Sequence, residues 1–559
     1  MILNRPATRI LHLFLIVQSI TSVTSLSNWA NNYQYSTDTV VTPLTHQELL
    51  HALQAKPQGP IKPLGTRHSF SAVADTFKTG TLLRLTELNN VIHLDTAGVP
   101  SSVTVQPGIT YAALGKYLHE QGYALANYAS LPHISIGGAF MTSTHGSGLS
   151  NQILAGSVLK YQFLALDESI STVTLTPDDP DFYTALVSVG SVGILTSVTL
   201  QIEPQYYIQQ CIYPDISWDI LLEETATPFF QRAYSVSGFT DWKRNTDGTH
   251  DLLSSVWLKH KIQSEDTKEK TTAACPTLYN VNARSYHPLP LQDSSTCSPN
   301  GIGHSHTMLP HFLPQNAPSG GGEELQTEYF IALEHAVDAL HALRGIAEQL
   351  APYVQVSEFR VVAPDLFPLS VCYKKKQSCF GMHFTWINDV EGVTTNMLPL
   401  VEQTLLLWEP RPHHGKLHTL PVEVWRRRYP GFRQVRKTAH KFDPTGRLQN
   451  EFLMKYVYDE QQKKKSTAAA LPTAVGVGAV GGLADPTNKL HQIISDFNAA
   501  AAEFDGMDAM DQLLMDQVDE LLEEDIEDLS VLTTLEEQME HMLESTAMYG
   551  DFGEEGGEL

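Results

Sequence analysis

One segment of the 559-residue chain reads Ser130-Leu131-Pro132-His133-Ile134-Ser135-Ile136-Gly137-Gly138-Ala139-Phe140-Met141-Thr142-Ser143-Thr144-His145-Gly146-Ser147-Gly148. Glycines and hydroxyl residues are so dense here that a ligand can approach the main chain. Backbone amides and hydroxyls without bulky neighbours are the donors that a pyrophosphate requires. A tight crossing of chain segments within a core would also explain the glycines. The segment therefore favours a nucleotide site without proving one.

A second segment, Gly65-Thr66-Arg67-His68-Ser69-Phe70, follows the apolar run Ile61 to Leu64. A glycine turn after a strand can aim its amides at an anion, and His68 would project from that turn. By contrast, Gly476 to Gly481 matches G-x-G-x-x-G, but no strand precedes it and its composition is that of a linker. We therefore reject a Rossmann motif there.

Two further runs predict strands with polar faces. Alternation over Val354 to Val362 places Glu358 and Arg360 on one face, with Gln355, Ser357 and Phe359 on the other. Alternation over Phe380 to Trp386 likewise places His383 and Thr385 opposite Phe384 and Trp386. Each pair alone also fits a surface ion pair or a core histidine. Convergence of the two strands would make them a site.

With Gly190 to Thr196, these segments resemble the flavin-binding domain of the vanillyl-alcohol-oxidase superfamily. The chain is most similar to bacterial alditol (xylitol) oxidases, relatives of the sugar-lactone oxidases, from about Asn28 to Tyr458. Arg411 to Lys416 resembles the family's His-Trp-Gly-Lys motif, with His414 in the place of Trp, which leaves the local packing open. The resemblance implies an α+β fold, in which a two-subdomain FAD-binding (PCMH-type) domain joins a substrate (cap) domain with an antiparallel sheet and flanking helices.

The resemblance also implies a cofactor site, with His68 bonded covalently to the 8α carbon of FAD. The residues that would surround the cofactor are Gly65, Thr66, Arg67, Ser69, Ser130, Ser135, Gly138, Thr142, Ser143, Thr144, His145, Ile194 and His413.

The implied reaction oxidises the terminal (C1) hydroxyl of an alditol such as xylitol or sorbitol to the aldose, with O2 reduced to H2O2. Removing the hydroxyl proton as hydride leaves carbon for flavin N5 requires a base and cationic groups beside the flavin. Lys416 and Arg360 would stabilise the alkoxide and His383 would take the proton, although the identity of the base stays open. The substrate-binding set would be Glu358, Arg360, Thr385, Lys416 and Ser130.

Two alternatives compete with the hypothesis of an alditol oxidase. The first is a sugar-1,4-lactone (aldonolactone) oxidase or dehydrogenase. The choice between oxidase and dehydrogenase is a separate question, and the small Ala129 before Ser130 favours an oxidase because it need not block oxygen from the flavin. The second is a flavoprotein-fold scaffold without activity, which binds partners through the acidic tail. A scaffold need not keep five polar groups, and their retention argues for the enzyme: Glu358, Arg360, His383, Thr385 and Lys416.

The net charge of −25 is unevenly spread. Residues 501–559 contain 20 Asp or Glu and no Lys or Arg, so subtracting this tail leaves only −5 for residues 1–500. The acidic surface predicts no nucleic-acid partner, and the tail is a candidate segment for docking a protein. The sequence predicts five parts: a signal-like targeting segment (1–25), the FAD-binding domain (28–205), the cap domain (206–409), a segment that returns to the FAD domain (410–458), and a linker with an acidic, largely disordered tail (459–559).

The N-terminus has the order of a secretory signal: Arg5 and Arg9, then the apolar run Ile10 to Val17, then small residues. It predicts secretion or the secretory pathway, with no stable membrane span after removal, and a cytoplasmic protein if the segment is not a signal. Among the five cysteines, Cys372 and Cys379 can bridge a short loop. His304, His306 and His311 have no closed-site metal spacing, so we expect no structural metal.

Overall fold

The computed structural model describes residues 26–55, 59–218, 226–243, 252–263, 274–284, 300–314 and 323–458. The signal-like segment, the acidic tail, Gly476 to Gly481 and Cys297 lie outside these residues. None of the described helices is long and apolar enough to cross a bilayer.

The first region begins with a small parallel sheet whose strands, in spatial order, are Val40–Val41, Thr81–Arg84 and Ile61–Leu64. The helix His46–Ala55 packs beside it through the buried Leu49 and Leu53. Its start is capped because Thr45 Oγ1 accepts from the Glu48 amide at 3.1 Å. The Glu48 carboxylate in turn accepts from the Leu44 amide at 2.8 Å, which completes a variant of the capping box.

Short strand-like runs at Ser102 to Val105, Tyr161 to Leu166, Ser171 to Leu175 and Ile194 to Ile202 predict strands, and all four belong to a five-stranded antiparallel sheet. Its spatial order is Val91–Asp95, Ser102–Val105, Ile194–Gln201, Val158–Leu164 and Thr172–Leu175. A two-stranded pair joins Tyr123–Ala124 to Glu203–Pro204. The helices of this region are Ala72–Ala74 (3₁₀), Tyr111–Glu120, Ile136–Met141, Leu154–Ser157 (3₁₀) and Phe182–Leu186.

The second region is built on an antiparallel sheet with eight strands among the described residues. Their spatial order is Gly301–His304, Tyr206–Ser217, Leu252–Gln263, Ser235–Thr240, Val354–Val362, Cys379–Ile387, Glu324–Ala332 and Arg411–Pro412. One face packs on helices through an apolar core that includes Phe384 and Trp386. The other face carries polar side chains toward the first region, as the alternation predicted for His383 and Thr385.

The helices of the second region and of the C-terminal segment are short. They are Ala226–Phe230, Ser305–Met308, Leu333–His335 (3₁₀), Ala336–Gly345, Ala347–Leu350, Val390–Gly392, Val393–Met397 (π), Leu398–Thr404, Leu406–Trp408 (3₁₀), Val422–Arg428, Phe432–Phe442 and Glu451–Tyr456. The last three return to the first region, where the Leu166 amide donates to Phe442 O at 2.7 Å and the Ile61 amide to Arg447 O at 2.8 Å.

Together the sheets confirm the expected α+β fold with an FAD-binding part and an antiparallel cap sheet. Two local predictions are wrong. The sequence from Ala332 to Leu350 predicts one helix, but Ala332 still belongs to a strand and the helix breaks at Ile346. Residues 264–323 are rich in Ser, Thr, Pro, Asn and Gly, which predicts a long surface loop, yet the described part contains the strand Gly301–His304 and the helix Ser305–Met308.

Two disulfides cross-link the second region. Cys372 and Cys379 form the short-loop bridge that the sequence allows, and Cys211 joins Cys275 across 64 residues.

Candidate active site

A cavity of about 290 Å³ lies between the glycine segments of the first region and the polar face of the cap sheet. Both quoted segments, Gly65 to Ser69 and Ser130 to His145, contribute to its wall. The opposite wall comes from three neighbouring cap strands and the turn after Pro412.

The first wall and the residues directly behind it leave little space for larger side chains. A Cβ atom on Gly65 would lie 2.3 Å from Ser135 Oγ. A Cβ atom on Gly146, which follows the lining residue His145, would lie 2.3 Å from Asn127 Oδ1 and 2.4 Å from Tyr128 O. The two quoted segments touch directly, because the Ser135 amide donates to Thr66 Oγ1 at 3.2 Å. At Gly146, the close approach of the Tyr128 main chain explains why glycine stands there.

The turn that carries His68 is held in a strained conformation. Arg67 has φ +66°, in the left-handed region that non-glycine residues rarely adopt. The Arg67 guanidinium donates to Ser27 O at 2.6 Å, which fixes the turn. The His68 ring stacks on Trp29 with centroids 5.4 Å apart, and its buried Nε2 has no hydrogen-bond partner in the part of the chain that the structure describes. Burial, with His133 and Arg67, lowers the pKa of His68 to about 4, so the ring is neutral at pH 7.

Lys62 adds a cation to this wall that the sequence analysis did not identify. Its ammonium is buried and donates to Val189 O at 3.2 Å and Gly190 O at 3.0 Å. Burial lowers the pKa of Lys62 to about 7, opposed by Asp443. A lysine in the middle of an apolar strand was the available signal, since unpaired lysines are seldom buried.

The second wall depends on strand register. Within the cap sheet Glu358 lies directly opposite His383, and His383 lies directly opposite Glu328 on the next strand. Directly opposed residues point to the same face of a sheet, so three titratable groups line up across three strands. Arg360 and Thr385 lie two residues along from Glu358 and His383, on the same face.

Glu328 is the centre of this wall, and the sequence analysis missed it. Its side chain is 1% exposed. It accepts from Arg360 Nη2, from Lys416 Nζ at 2.7 Å, and lies 3.2 Å from His145 Nε2. Burial alone would raise the pKa of Glu328, but Arg360, Lys416 and His145 together lower it well below the usual range. It is therefore an ionised counter-charge at neutral pH. The period-two pattern Glu324, Gln326, Glu328 was the signal that could have revealed it.

A directional chain of hydrogen bonds leads from Glu328 to the cavity. Lys416 Nζ lies 2.6 Å from His383 Nδ1, and His383 Nε2 lies 3.1 Å from Thr385 Oγ1. Burial, reinforced by Lys416, lowers the pKa of His383 to about 3, so the ring is neutral and accepts from the ammonium at Nδ1. Its proton then sits on Nε2 and is donated to Thr385, which leaves the threonine hydroxyl free to donate into the cavity.

Glu358 differs from Glu328 in its environment. Its Oε1 has no hydrogen-bond partner among the described residues and lies 3.6 Å from both Arg360 Nε and His311 Nε2. Burial raises its pKa, only partly offset by Arg360. Arg360 also donates to Ser130 Oγ at 2.9 Å, and this hydrogen bond connects the second wall, formed by the cap sheet (the cap wall), to the first wall.

The cavity brings together most of the predicted site residues. Those that line it are Gly65, Thr66, Arg67, His68, Ser69, Ser130, Ser135, Gly138, Thr142, Thr144, His145, Glu358, Arg360, His383, Thr385, His413 and Lys416. The side chains of Ser143 and Ile194 lie elsewhere: Ser143 Oγ accepts from the Val371 amide at 3.1 Å, and Ile194 is buried in an apolar core. Any contact that these two make with a cofactor comes from the main chain.

One expectation about the strand faces is wrong. Gln355 was predicted on the face opposite Glu358, yet Gln355 and Val356 both line the cavity. The pairing with the neighbouring strand shifts register between Val354 and Val356. Such a bulge changes which residues face the cavity.

His414, which departs from the family motif, is fully buried. Its Nε2 lies 2.6 Å from Leu369 O, and its ring lies 4.6 Å from that of Tyr429. The turn keeps its shape around it, because the Lys416 amide donates to His413 O at 3.0 Å.

Among the described residues, His145, Glu328 and His413 are close enough to be considered metal ligands. Arg360 and Lys416 already neutralise Glu328, and their positive charges disfavour a cation at this point.

Comparisons with known proteins agree with this geometry. Residues 37–173 match the model of an FAD binding domain, and residues 323–456 match that of D-arabinono-1,4-lactone oxidase. An alditol oxidase from Streptomyces sp. is 35% identical over 435 residues, which cover 77% of this chain and 98% of that protein. The chain belongs to the alditol oxidase family, within the vanillyl-alcohol-oxidase superfamily of FAD-dependent oxidoreductases.

The L-gulonolactone oxidase of Mus musculus is a more distant relative. It is 22% identical to this chain over 77% of this chain and 98% of that protein. The crystal structure of cholesterol oxidase from B. sterolicum has the same fold, with a TM-score of 0.63, 15% identity, and coverage of 77% of this chain and 96% of that one. The chain is thus an FAD-dependent oxidoreductase, and residues 37–173, which match the FAD binding domain, supply most of the first wall of the cavity (the cofactor wall).

Proposed function

We propose that the protein is an alditol oxidase, which converts the terminal C1 hydroxyl of an alditol such as xylitol or sorbitol into the aldehyde of an aldose. The observation that carries this proposal is the strand register that gathers Glu358, Arg360, Thr385 and Lys416 at one end of the cofactor cavity, beside Ser130. A chain of neighbouring hydroxyls can bond to such a set of donors and acceptors. The similarity to an alditol oxidase supports the same substrate class.

The residues of the first wall fit FAD. Glycines leave the main chain open, and the unpartnered His68 Nε2 provides a neutral ring nitrogen at the cavity. Together with Gly65, Thr66 and Ser69, it would hold the isoalloxazine, and we propose that His68 bonds covalently to the 8α carbon. When bound, FAD accepts the C1 hydride and passes two electrons to O2, giving H2O2.

Arg360 and Lys416 stabilise the developing alkoxide at C1. Both are buried cations whose counter-charge, Glu328, is shared between them. Their N–H groups oppose the negative charge that forms on the substrate oxygen in the transition state.

His383 and Thr385 orient the substrate. Because Lys416 occupies the Nδ1 lone pair of His383, and Nε2 carries the proton, this ring is poorly placed to accept a proton from substrate. We therefore assign His383 a positioning role: it holds Thr385 Oγ1 so that the hydroxyl donates to a substrate oxygen.

Glu358 accepts the C1 hydroxyl proton in this proposal. It has a free oxygen at the cavity and a pKa raised by burial, which moves the carboxylate toward the range of an effective base. Because the base must be deprotonated, the rate of flavin reduction rises with pH through the Glu358 pKa and then levels off. Glu358→Gln should lower that rate by about 10²- to 10⁴-fold and abolish the rise. A pH profile with the same rise in Glu358→Gln would exclude this role.

The substrate class is tested by anaerobic mixing of the flavin-loaded enzyme with xylitol, sorbitol or L-gulono-1,4-lactone. We expect bleaching of the flavin absorbance with the polyols at rates far above that with the lactone. The match of residues 323–456 to a lactone oxidase makes the lactone the second candidate, and faster reduction by it would replace the proposed substrate.

The electron acceptor is tested by stopped-flow re-oxidation of the reduced enzyme. Ala129 lines the cavity and its side chain is a single methyl group, which supports access of O2 to the flavin. A bimolecular rate with O2 no faster than that of free flavin would favour a dehydrogenase.

The covalent bond is tested by denaturing electrophoresis. We expect flavin fluorescence to migrate with the wild-type chain and to be absent from His68→Ala. Release of all flavin from the wild type by acid precipitation would contradict the linkage.

We also propose that the chain enters the secretory pathway. The two disulfides support this, because such bonds persist in oxidising compartments. N-terminal sequencing of protein recovered from its native source tests it: an N-terminus near Ser25 is expected, and an intact Met1 would contradict it.

A further inference from the structure

Three histidines from two distant parts of the chain meet outside the active-site cavity. His119 lies in the last turn of helix Tyr111–Glu120, while His304 and His306 lie at the junction of strand Gly301–His304 and helix Ser305–Met308. Their ring centroids are 3.9 Å (His119 to His304), 4.9 Å (His119 to His306) and 6.0 Å (His304 to His306) apart. None of the three lines the cavity.

The contact between these segments is built into the sequence. Gly115 stands one turn before His119, and a Cβ atom there would lie 2.8 Å from His306 Cβ. The glycine therefore lets the segment with His304 and His306 close onto the helix. The ring of Tyr207, directly opposite His304 in the strand pair, packs 4.9 Å from it on the other side.

The chemistry of the cluster is that of a nitrogen donor set. Within the described ranges, none of the three histidines forms an ion pair with a carboxylate, and each imidazole is partly exposed. Two imidazoles bound to one tetrahedral Zn²⁺ at ~2.0 Å have ring centres roughly 5 Å apart. The observed spacings of 3.9, 4.9 and 6.0 Å lie on either side of that value.

The ring nitrogens do not yet converge. The ring nitrogens of His119, His304 and His306 do not all lie within 4.8 Å of one another. Among the described residues, the ligand atoms of His145, Glu328 and His413 do. Rotation of partly exposed side chains would be needed to close the site. His311, the third histidine of the sequence motif, is not a member, since it packs against Trp257 at a centroid distance of 4.8 Å.

We propose that His119, His304 and His306 bind a divalent transition-metal ion of the Zn²⁺ class, with water completing the coordination. Imidazole ligands favour such ions over Mg²⁺ or Ca²⁺, which prefer oxygen. The ion would join helix Tyr111–Glu120 to residues 301–312. That segment forms part of the active-site wall, because the His311 amide donates to Ser130 O at 2.9 Å. The metal would thus steady the segment.

The test uses full-length, tag-free, flavin-loaded protein, because an affinity tag of histidines would mask the site. Titration calorimetry with ZnCl2 should show one tight ion per chain, and the melting temperature should rise with the free Zn²⁺ concentration. His119→Gln and His306→Gln should each weaken binding at least tenfold. The matched control is His93→Gln, an exposed histidine outside the cluster, which should leave binding unchanged.

Flavin absorbance and circular dichroism of each variant establish that it is folded. Unchanged Zn²⁺ affinity and stoichiometry in both folded variants, or binding only at millimolar Zn²⁺, would identify an adventitious ion and overturn the proposal. Such a result leaves the oxidase proposal intact, because the three histidines take no part in flavin reduction.

Discussion

The two walls of the cavity work by opposite means. The cofactor wall presents the main chain through residues with little or no side chain, and a Cβ atom on Gly65 or Gly146 would collide with neighbouring atoms. The cap wall presents long charged side chains around one buried carboxylate, Glu328. We therefore expect added side-chain atoms to disrupt the first wall, and the removal of charged groups to disrupt the second.

Removing a cation from the cap wall should lower the rate more than any change to the cofactor wall. Arg360→Leu and Lys416→Met should each lower the anaerobic rate of flavin reduction by roughly 10²- to 10³-fold, because each loses a donor to the developing alkoxide. Flavin content should stay near that of the wild type. Lys376→Met, at an exposed lysine, is the control. Near-normal reduction in both variants would remove these residues from the mechanism.

Removing the shared counter-charge should cost stability as well as rate. Glu328→Gln leaves Arg360 and Lys416 facing each other without a carboxylate, and should reduce the free energy of unfolding by about 3 kcal/mol at pH 7. The lowered pKa of Glu328 stabilises the wild type above the unfolded-state pKa, and this contribution is lost as pH falls. Denaturant unfolding at pH 7 and pH 4 should therefore show a smaller difference between variant and wild type at pH 4. An equal difference at both values would contradict the ionised state of Glu328.

Adding a single methyl group should be enough to damage the cofactor wall. Gly146→Ala would place Cβ against Asn127 and the Tyr128 carbonyl, and should lower stability by about 1–3 kcal/mol together with flavin loading. Gly345→Ala is the matched control, because no atom lies within 4 Å of its added Cβ. Absorbance ratios of purified protein and thermal unfolding measure both effects. Full flavin loading in Gly146→Ala would show that this wall can relax.

The smallest effect is expected at the end of the hydrogen-bond chain. Thr385→Val removes one neutral donor and should raise the KM for polyol several-fold, equivalent to about 1 kcal/mol. Thr385→Ser keeps the hydroxyl and should restore most of the affinity. Steady-state kinetics with xylitol separates the two variants, and equal KM values in both would exclude a hydrogen bond from Thr385 to substrate.

The two walls also differ in how well the sequence predicts them. The cofactor wall was predictable because its signals are local: glycines and hydroxyls lie within two short segments. On the cap wall, alternation placed Glu358, Arg360, His383 and Thr385 on the cavity faces of their strands. Glu328 was missed although its own strand alternates. Its partners Arg360, His383 and Lys416 lie 32 to 88 residues away in sequence, and only the pairing of a third strand brings them together.

Other misses have similar physical causes. The bulge near Gln355 has no signature in the alternating pattern, since it depends on how the neighbouring strand pairs. The cluster at His119 joins residues separated by more than 180 positions, so spacing along the chain gave no indication of it. Local patterns predict local structure, whereas register and packing decide which side chains meet.

Ser143 gives the cofactor wall a dependence on the cap. This residue has φ +60°, and its hydroxyl accepts from the amide of Val371, which directly precedes the Cys372–Cys379 bridge. Nearby, Gly148 pairs with Val362. The FAD-binding part is accordingly not a portable module. A chimaera that transplants residues 28–205 onto a foreign cap must also bring the partner loop around Val371, which limits recombination between relatives to exchanges that keep these two pieces together.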